Sequence, residues 1–186
     1  MKKRSIVLFS FILLLQACGT TTDSGHQKNK SSGELPPLQT EVKEGDFIYK
    51  LYSEKESYKE FEDIEVYAEL IYTGPEESID ISHAASPFYF PFEELTRGYE
   101  VSYAMDLPSI VTTIKKNEPL MKKYEFAGGF SDQNDAEYVR FVKTFMSDGF
   151  PEGNYIIHGS ADFGTITDSG EHAYHLKADI GFTVRK

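Results

Sequence analysis

Alternation of apolar and polar residues at every second position is the feature that most constrains how this chain can fold. It is clearest in residues 64–72 and 174–185, where apolar side chains occupy one parity and mostly polar side chains the other. Successive side chains of a β-strand point to opposite faces, so each segment would bury one face and expose the other. The alternation predicts a body made mostly of β-strands.

Shorter segments with the same character bring the predicted total to about seven strands. They cover residues 47–53, 78–82, 99–105, 120–126 and 155–163, and Gly, Pro, Asp and Asn turn signals separate them. Short strands with frequent turns favour two sheets packed face to face. We therefore predict an all-β fold, an immunoglobulin-like β-sandwich, with a closed barrel as the alternative.

One segment departs from the alternation. Apolar residues within 138–146 recur at helical spacing, and Asn134 with Glu137 has the arrangement of a capping box. Gly149 is suited to end a helix near Ser147. The sandwich is therefore predicted to carry one short inserted helix.

The N-terminus has the composition of an export signal. Charged residues at positions 2–4 precede an uncharged run over residues 6–15, and the only cysteine, Cys18, follows closely. The uncharged run is half as long as the roughly 20 apolar residues that a transmembrane helix needs. We predict a signal peptide over residues 1–17 and no segment that spans a membrane.

Residues 15–18, Leu-Gln-Ala-Cys, resemble the lipobox of bacterial lipoproteins. The resemblance implies that a diacylglycerol is attached to the sulfur of Cys18 and that the signal peptide is cut just before it. Two or more acyl chains on one residue give stable anchoring. The expected location is the extracytoplasmic face of the cell membrane, with the lipid bilayer as a partner. The alternative is an ordinary secretory peptide that leaves Cys18 as a free thiol.

The segment after the cysteine differs in composition from the rest of the chain. Residues 19–45 contain few apolar and no aromatic residues, with Gly, Ser, Thr and Pro throughout. Segments of this composition bury too little apolar surface to fold. We predict that residues 18–45 form the lipidated cysteine and a flexible tether, and that the domain covers residues 46–186. An edge strand at Val42 is the alternative.

The charge of the chain is strongly negative. Cleavage after residue 17 removes three of the 19 Lys and Arg residues and none of the 30 Asp and Glu residues, which leaves 16 against 30 and a net charge of −14. Nucleic-acid binding requires a basic face. The composition therefore excludes a nucleic acid as partner.

Residues 150–155, Phe-Pro-Glu-Gly-Asn-Tyr, are similar to the Pro-x-Gly-x-Tyr start of a late strand in many bacterial Ig-like domains. With the strand at 64–72 and the Pro-aromatic run at 86–90, this segment resembles the domain of intracellular proteinase inhibitors from Gram-positive bacteria. The resemblance implies a sandwich used for binding, in which Tyr155 pins a corner through its hydroxyl. Protease inhibition is an alternative function.

Residue clusters typical of catalysis or metal binding are scarce. His172 and His175 are an odd number of residues apart and would point to opposite faces of a strand, which argues against a metal site with His158. Acidic pairs such as Glu93-Glu94 lie beside turn signals, where carboxylates are usually solvated. We expect no enzyme activity, no metal and no cofactor. The alternative is a divergent secreted hydrolase that uses paired carboxylates.

Aromatic residues are too numerous for one sandwich core to bury on alternating positions, since the chain has 14 Phe and 12 Tyr. Phe88, Tyr89, Phe90 and Phe92 stand close together at both parities. They are predicted either to plug one end of the core or to form the lip of a ligand site. The expected function is non-catalytic: a membrane-anchored Ig-like domain binds an envelope protein or a cell-wall component.

Overall fold

The structure is a computed structural model, and it describes residues 35–167 and 170–186. The predicted signal peptide, Cys18 and the tether up to residue 34 lie outside the described residues. The lipid anchor therefore stays a prediction.

Strands dominate the described part of the chain, together with one helix. In chain order the elements are β1 (Gln39–Glu44), β2 (Phe47–Ser53), β3 (Ser57–Lys59), β4 (Val66–Tyr72), β5 (Ser78–His83), β6 (Phe88–Tyr89), β7 (Phe92–Glu94), β8 (Tyr99–Val101), β9 (Ile110–Lys115), β10 (Leu120–Lys123), α1 (Ala136–Asp148), β11 (Gly153–Thr167) and β12 (Gly170–Arg185).

The strands form two sheets. The smaller has the order β1-β2-β4-β10, and the larger has the order β3-β12-β11-β5-β9, with β6 and β7 also paired to β11 and β8 paired to β7. β11 has room for several neighbours because it is 15 residues long. The two sheets and the single helix confirm the predicted all-β sandwich. The strand count is higher than predicted by five. β1 and β9 were missed, and β3, β6 and β7 are only two or three residues long, too short for a visible alternation.

The core lies between the sheets and follows the alternation in the sequence. In β2 and β4 every second residue is buried and the residues between are partly exposed. Full burial of one large apolar side chain stabilises the fold by about 1.5–3 kcal/mol relative to exposure. The main buried side chains of these strands and of the opposing β11 and β12 are Phe47, Tyr49, Leu51, Val66, Ala68, Leu70, Ile157, Ala161, Leu176, Ile180 and Phe182.

β1 corrects the predicted domain boundary. It pairs with β2 along its whole length, from Gln39 opposite Tyr52 to Glu44 opposite Phe47, although the sequence assigned residues 18–45 to the tether. Val42 packs against the core, as the alternative interpretation expected. The strand looks like a linker because it is an edge strand with a polar outer face. Gly45 turns the chain at a φ of 54°, where glycine carries no steric cost.

Helix α1 packs against one end of the sandwich through Phe141, Val142 and Phe145. It begins after Asp135, whose carboxylate accepts hydrogen bonds from two backbone N–H groups of the first turn. The cap is therefore Asp135 and not Asn134, one residue earlier, as the sequence indicated. The helix ends at Asp148, next to Gly149, which is close to the predicted end.

The turn that leads into β11 is held by a buried tyrosine. The hydroxyl of Tyr155 donates a hydrogen bond to the carbonyl oxygen of Pro151 at 2.6 Å. This confirms the corner contact that the Pro-x-Gly-x-Tyr pattern implied. It ties the third residue of β11 to a residue two positions before the strand begins.

Two Tyr→Phe variants give a test of this corner. Tyr155→Phe removes a buried donor and leaves the Pro151 carbonyl without its partner, so we expect the free energy of unfolding to fall by about 1 kcal/mol. Tyr124 is the matched control, since its hydroxyl is buried and has no hydrogen-bond partner among the described residues. Tyr124→Phe is expected to leave stability unchanged or to raise it. Urea denaturation of both variants measures the difference, and equal losses would contradict the assignment.

Candidate functional site

Residues 88–92 of the aromatic run alternate between buried and partly exposed side chains, a regularity that the two prolines of the run did not suggest. Phe88, Phe90 and Phe92 are 2%, 3% and 1% exposed, because all three share one parity and face the core. They cannot form the exposed lip of a ligand site. Their burial agrees with the other interpretation, a plug in the core. Tyr89 has the opposite parity and is the member of the predicted lip that faces outward.

Tyr89 lines a cleft on the outer face of the larger sheet. Tyr89 and Pro91 form one wall, Pro36 and Pro37 are also in the lining, and the backbone of β11 and β12 at Gly159 and Ala178 completes it. The cleft has a volume of about 840 Å³. We call it the proline cleft.

The segment that carries Pro36 and Pro37 is fixed to β12 by close packing. A Cβ atom at Gly181 would lie 2.9 Å from Leu35 Cβ and 2.9 Å from Pro36 Cδ, so the segment approaches the strand only because residue 181 has no side chain. The N–H of Gly181 donates to the Pro37 carbonyl at 3.4 Å, and Thr40 Oγ1 donates to the Asp179 carbonyl at 2.7 Å. The predicted tether therefore supplies one side of the cleft.

The polar part of the cleft contains a charged pair. Nδ1 of His158 lies 2.9 Å from Oδ1 of Asp179, on the strand position directly opposite. Nε2 of the same ring lies 3.8 Å from Oε2 of Glu93. The hydrogen bond to Asp179 raises the pKa of His158, partial burial opposes it, and the negative charges of Asp179, Glu93 and Glu100 add to the rise. Lys177 and His175 add further basic groups to the lining.

The pKa of His158 provides a pH test of this geometry. Because the folded-state pKa is raised, the ion pair contributes stability that is fully present below the unfolded-state pKa of about 6.5 and is lost as the pH rises through the folded value. We expect an NMR titration to place the His158 pKa above 6.5, and Asp179→Asn to lower it. His172, exposed and in edge-to-face contact with Tyr174, is the control. A His158 pKa that does not respond to Asp179→Asn would contradict the assignment.

A second polar group on the same strands includes a serine, an aspartate and a histidine. Ser160 Oγ donates to Asp162 Oδ2 at 2.5 Å, and Asp162 Oδ1 contacts Nδ1 of His175. The carboxylate therefore stands between the hydroxyl and the imidazole. Nucleophilic catalysis requires the imidazole in that middle position, where it takes the proton from the hydroxyl. The three side chains do not have the order of a Ser-His-Asp triad.

The histidines are held apart by the register of β11 and β12. His158 lies opposite Asp179 and His175 lies opposite Asp162, four residues further along β11. Four residues of strand span about 13 Å, which is too far for two ligands of one metal ion. Within residues 35–167 and 170–186, no group of three or more His, Cys, Asp or Glu side chains is placed to hold a metal.

Glu94 corrects the interpretation of the acidic pairs as solvated charge. Its side chain is 0% exposed. The carboxylate accepts hydrogen bonds from the backbone N–H groups of Thr96 at 2.8 Å and Arg97 at 2.7 Å, and lies 3.2 Å from Arg97 Nη1. It holds the turn between β7 and β8. Its neighbour Glu93 has the opposite parity and faces the proline cleft side, where it is partly exposed.

The sequence contained one usable signal for the proline cleft. The outward parity of the last strand carries His175, Lys177 and Asp179, which are chemically varied for a surface that only contacts water. Pro36 and Pro37 gave no such signal, because they precede these residues of the last strand by more than 120 positions and lie in a segment of linker composition. Only the sheet brings them opposite Tyr89.

No protein-family model matches the chain, and no curated protein sequence matches it. Within the described ranges, no helix is both long enough and apolar enough to cross a bilayer.

Proposed function

We propose that this chain is a lipid-anchored binding protein of the extracytoplasmic membrane surface, and that its sandwich domain binds an envelope protein or a cell-wall component in the proline cleft. The cleft is the observation that carries the proposal. Ligand sites are concave, mostly apolar surfaces with a few polar groups that orient the ligand. The walls of prolines and Tyr89, with His158, Lys177 and Asp179 beside them, have that composition.

The anchor part of the proposal rests on the lipobox-like sequence that ends at Cys18. Its test is a mass measurement of the full-length protein from the membrane fraction, beside a Cys18→Ala variant. We expect the wild-type mass to include a diacylglycerol on residue 18 and to lack residues 1–17. An unmodified Cys18 in the wild-type protein would refute the anchor and leave the cleft proposal to be tested by itself.

The binding part is tested with two preparations from the organism that makes the protein: isolated cell walls and detergent-solubilised membrane proteins. The full-length protein is expected to bind one of them saturably. Tyr89→Ala and Lys177→Glu should each weaken binding by about tenfold or more, because both remove side chains that line the cleft.

Tyr52→Ala is the matched control for Tyr89→Ala. Both tyrosines are half-buried and packed against a second tyrosine, Tyr67 at 5.5 Å for Tyr52 and Tyr103 at 4.7 Å for Tyr89. Tyr52 lies in the smaller sheet, outside the cleft. Equal losses for the two variants, or no saturable binding by the wild-type protein, would contradict the proposal.

The two other functions have different requirements. A hydrolase with paired carboxylates needs two carboxyl groups about 5 to 10 Å apart. Asp179 and Glu93, which flank His158 at 2.9 and 3.8 Å, are the pair to test, and a hydrolase would lose its activity in either Asp179→Asn or Glu93→Gln. A protease inhibitor would show itself by stoichiometric loss of protease activity in an assay with secreted proteases, which the binding proposal does not expect.

A further inference from the structure

Phe61 combines a rare backbone conformation with an exposed aromatic ring. Its φ is 63°, and the other residue with positive φ that is not glycine, among the described residues, is Asn117. Asparagine tolerates the left-handed region, whereas a bulky side chain there is a true outlier. The side chain of Phe61 is nevertheless 45% exposed. Its strain is therefore not offset by full burial of the ring.

Hydrogen bonds on both sides hold Phe61 in this conformation. Its N–H donates to the carbonyl oxygen of Phe150 at 3.1 Å, and the N–H of Glu60 donates to the carbonyl oxygen of Arg185 at 2.7 Å. The N–H of Glu62 closes the turn on the carbonyl oxygen of Lys59 at 3.0 Å. A glycine would make the same backbone hydrogen bonds without strain. The turn explains the conformation, but it does not explain why the residue is a phenylalanine.

A second exposed aromatic ring lies near the backbone of Phe61. Phe126 is 36% exposed and follows β10. Gly149 stands between the two residues: a Cβ atom built on it would lie 3.6 Å from the ring of Phe126 and 3.6 Å from Cα of Phe61. Phe61, Phe126 and Gly149 together form what we call the Phe61 patch. Neighbouring exposed aromatic residues are typical of interaction surfaces.

Carboxylates flank every member of the Phe61 patch along the chain: Glu60 and Glu62 beside Phe61, Glu125 beside Phe126, and Asp148 beside Gly149. Lys55 pairs with Glu62 at 2.6 Å and Lys122 with Glu125 at 2.8 Å. Within the described residues, neither Glu60 nor Asp148 has a basic side chain within 4.0 Å, although the Glu60 carboxylate accepts a hydrogen bond from the backbone N–H of Glu152 at 3.2 Å. With Lys59 counted beside Lys55 and Lys122, four carboxylates face three lysines, and the rim keeps a net negative charge.

We propose that the Phe61 patch is the docking site for a basic protein segment that places an aliphatic or aromatic side chain against Phe61 and Phe126. The charge of the rim selects the partner. A second copy of this chain, with a formal net charge of −11, would meet the rim with like charge. An anionic lipid surface would be repelled for the same reason. The patch is separate from the proline cleft, and this inference does not depend on the cleft.

The first test replaces Phe61 with the photoreactive residue p-benzoylphenylalanine in the full-length protein in its own cells. We expect a crosslink to one protein, at an apolar residue with Lys or Arg within a few positions. Glu60→Lys combined with Asp148→Lys should lower the yield about fivefold, as should about 0.5 M salt, because both weaken the charge attraction. The same photoreactive residue at Phe130, which is also 45% exposed, is the control.

Several outcomes of the crosslinking experiment would overturn the proposal. A product with lipid would assign the patch to the membrane, and a product with a second copy would assign it to self-association. Equal yields from positions 61 and 130, or no crosslink from position 61, would show that the patch docks nothing.

The second test separates binding from folding by means of Phe61→Gly. Glycine relieves the strain at this φ, so we expect the Tm of Phe61→Gly to be no lower than that of the wild-type protein. Added as a competitor, Phe61→Gly should inhibit the crosslink from position 61 at least fivefold less strongly than the wild-type protein does. Asn117→Gly is the matched control, since it places the same residue at nearly the same φ of 62° in another turn. Asn117→Gly should inhibit the crosslink as strongly as the wild-type protein does. A Tm for Phe61→Gly well below the wild-type value would make Phe61 a packing residue and refute the proposal.

Discussion

Phe150→Ala is expected to lower the free energy of unfolding by about 3–5 kcal/mol, the range for truncation of a buried phenylalanine. Phe150 is fully buried and lies between α1 and β11. Its ring centroid is within 6 Å of six other aromatic rings, which come from β7, the residues after β10, α1, β11 and β12: Phe92, Tyr124, Phe126, Phe145, Tyr155 and Phe182.

The loss should be near the upper end of that range because the site cannot collapse easily. The surrounding rings are held by different elements, so no single shift fills the cavity that alanine would leave. For a domain of this size we expect the Tm to fall by about 6 to 20 °C. Differential scanning calorimetry measures it, with Phe130→Ala as the exposed control, for which we expect a change within about 0.5 kcal/mol. A loss below 1.5 kcal/mol for Phe150→Ala would show that the aromatic cluster is not a central part of the core.

Glu94→Ala is expected to destabilise the domain by about 3 kcal/mol, even though the residue is polar and lies at a turn. The substitution removes the acceptor of two backbone N–H groups, at Thr96 and Arg97, and the partner of the Arg97 guanidinium. Alanine offers none of these groups an acceptor. Part of the guanidinium reaches water, which limits the loss.

Glu93→Ala is the matched control for Glu94→Ala. The two residues are adjacent glutamates in β7, but Glu93 is partly exposed and its nearest basic partner, His158, is 3.8 Å away. We expect its substitution to change stability by less than about 0.5 kcal/mol. Chemical denaturation at neutral pH compares the two variants. Similar effects from both would mean that burial of Glu94 has no energetic consequence.

The strands that the sequence predicted well are those whose information is local. β2 begins and ends at the predicted residues, Phe47 and Ser53, because its alternation is complete and Gly45 and Asp46 mark a turn before it. The helix was found for a similar reason, since capping and apolar spacing both lie within its own residues. Even there the cap was placed one residue early, because Asn134 and Asp135 are both good capping residues and only the backbone conformation separates them.

Errors arose where burial depends on a distant segment. Phe88, Phe90 and Phe92 were predicted as a plug or a lip, and the sequence alone does not say which parity faces the core. The pairing of Phe88 with Ala161 and of Phe92 with Ile157, both in β11, decides it. β1 was assigned to the tether for the same reason, since its polar composition is compatible with an edge strand only when β2 lies beside it.

The sequence by itself determined the β-rich character of the domain, the inserted helix, the acidic charge and the predicted export signal, because periodicity, capping and composition are properties of neighbouring residues. The tertiary structure decided the rest. It buried Glu94, brought Pro36 and Pro37 into a cleft with Tyr89, and set Phe61 beside Phe126. Each of these results joins residues far apart in the chain, and their contact depends on which strands pair and in which register, a choice made by the free energy of the whole core and not by any local segment.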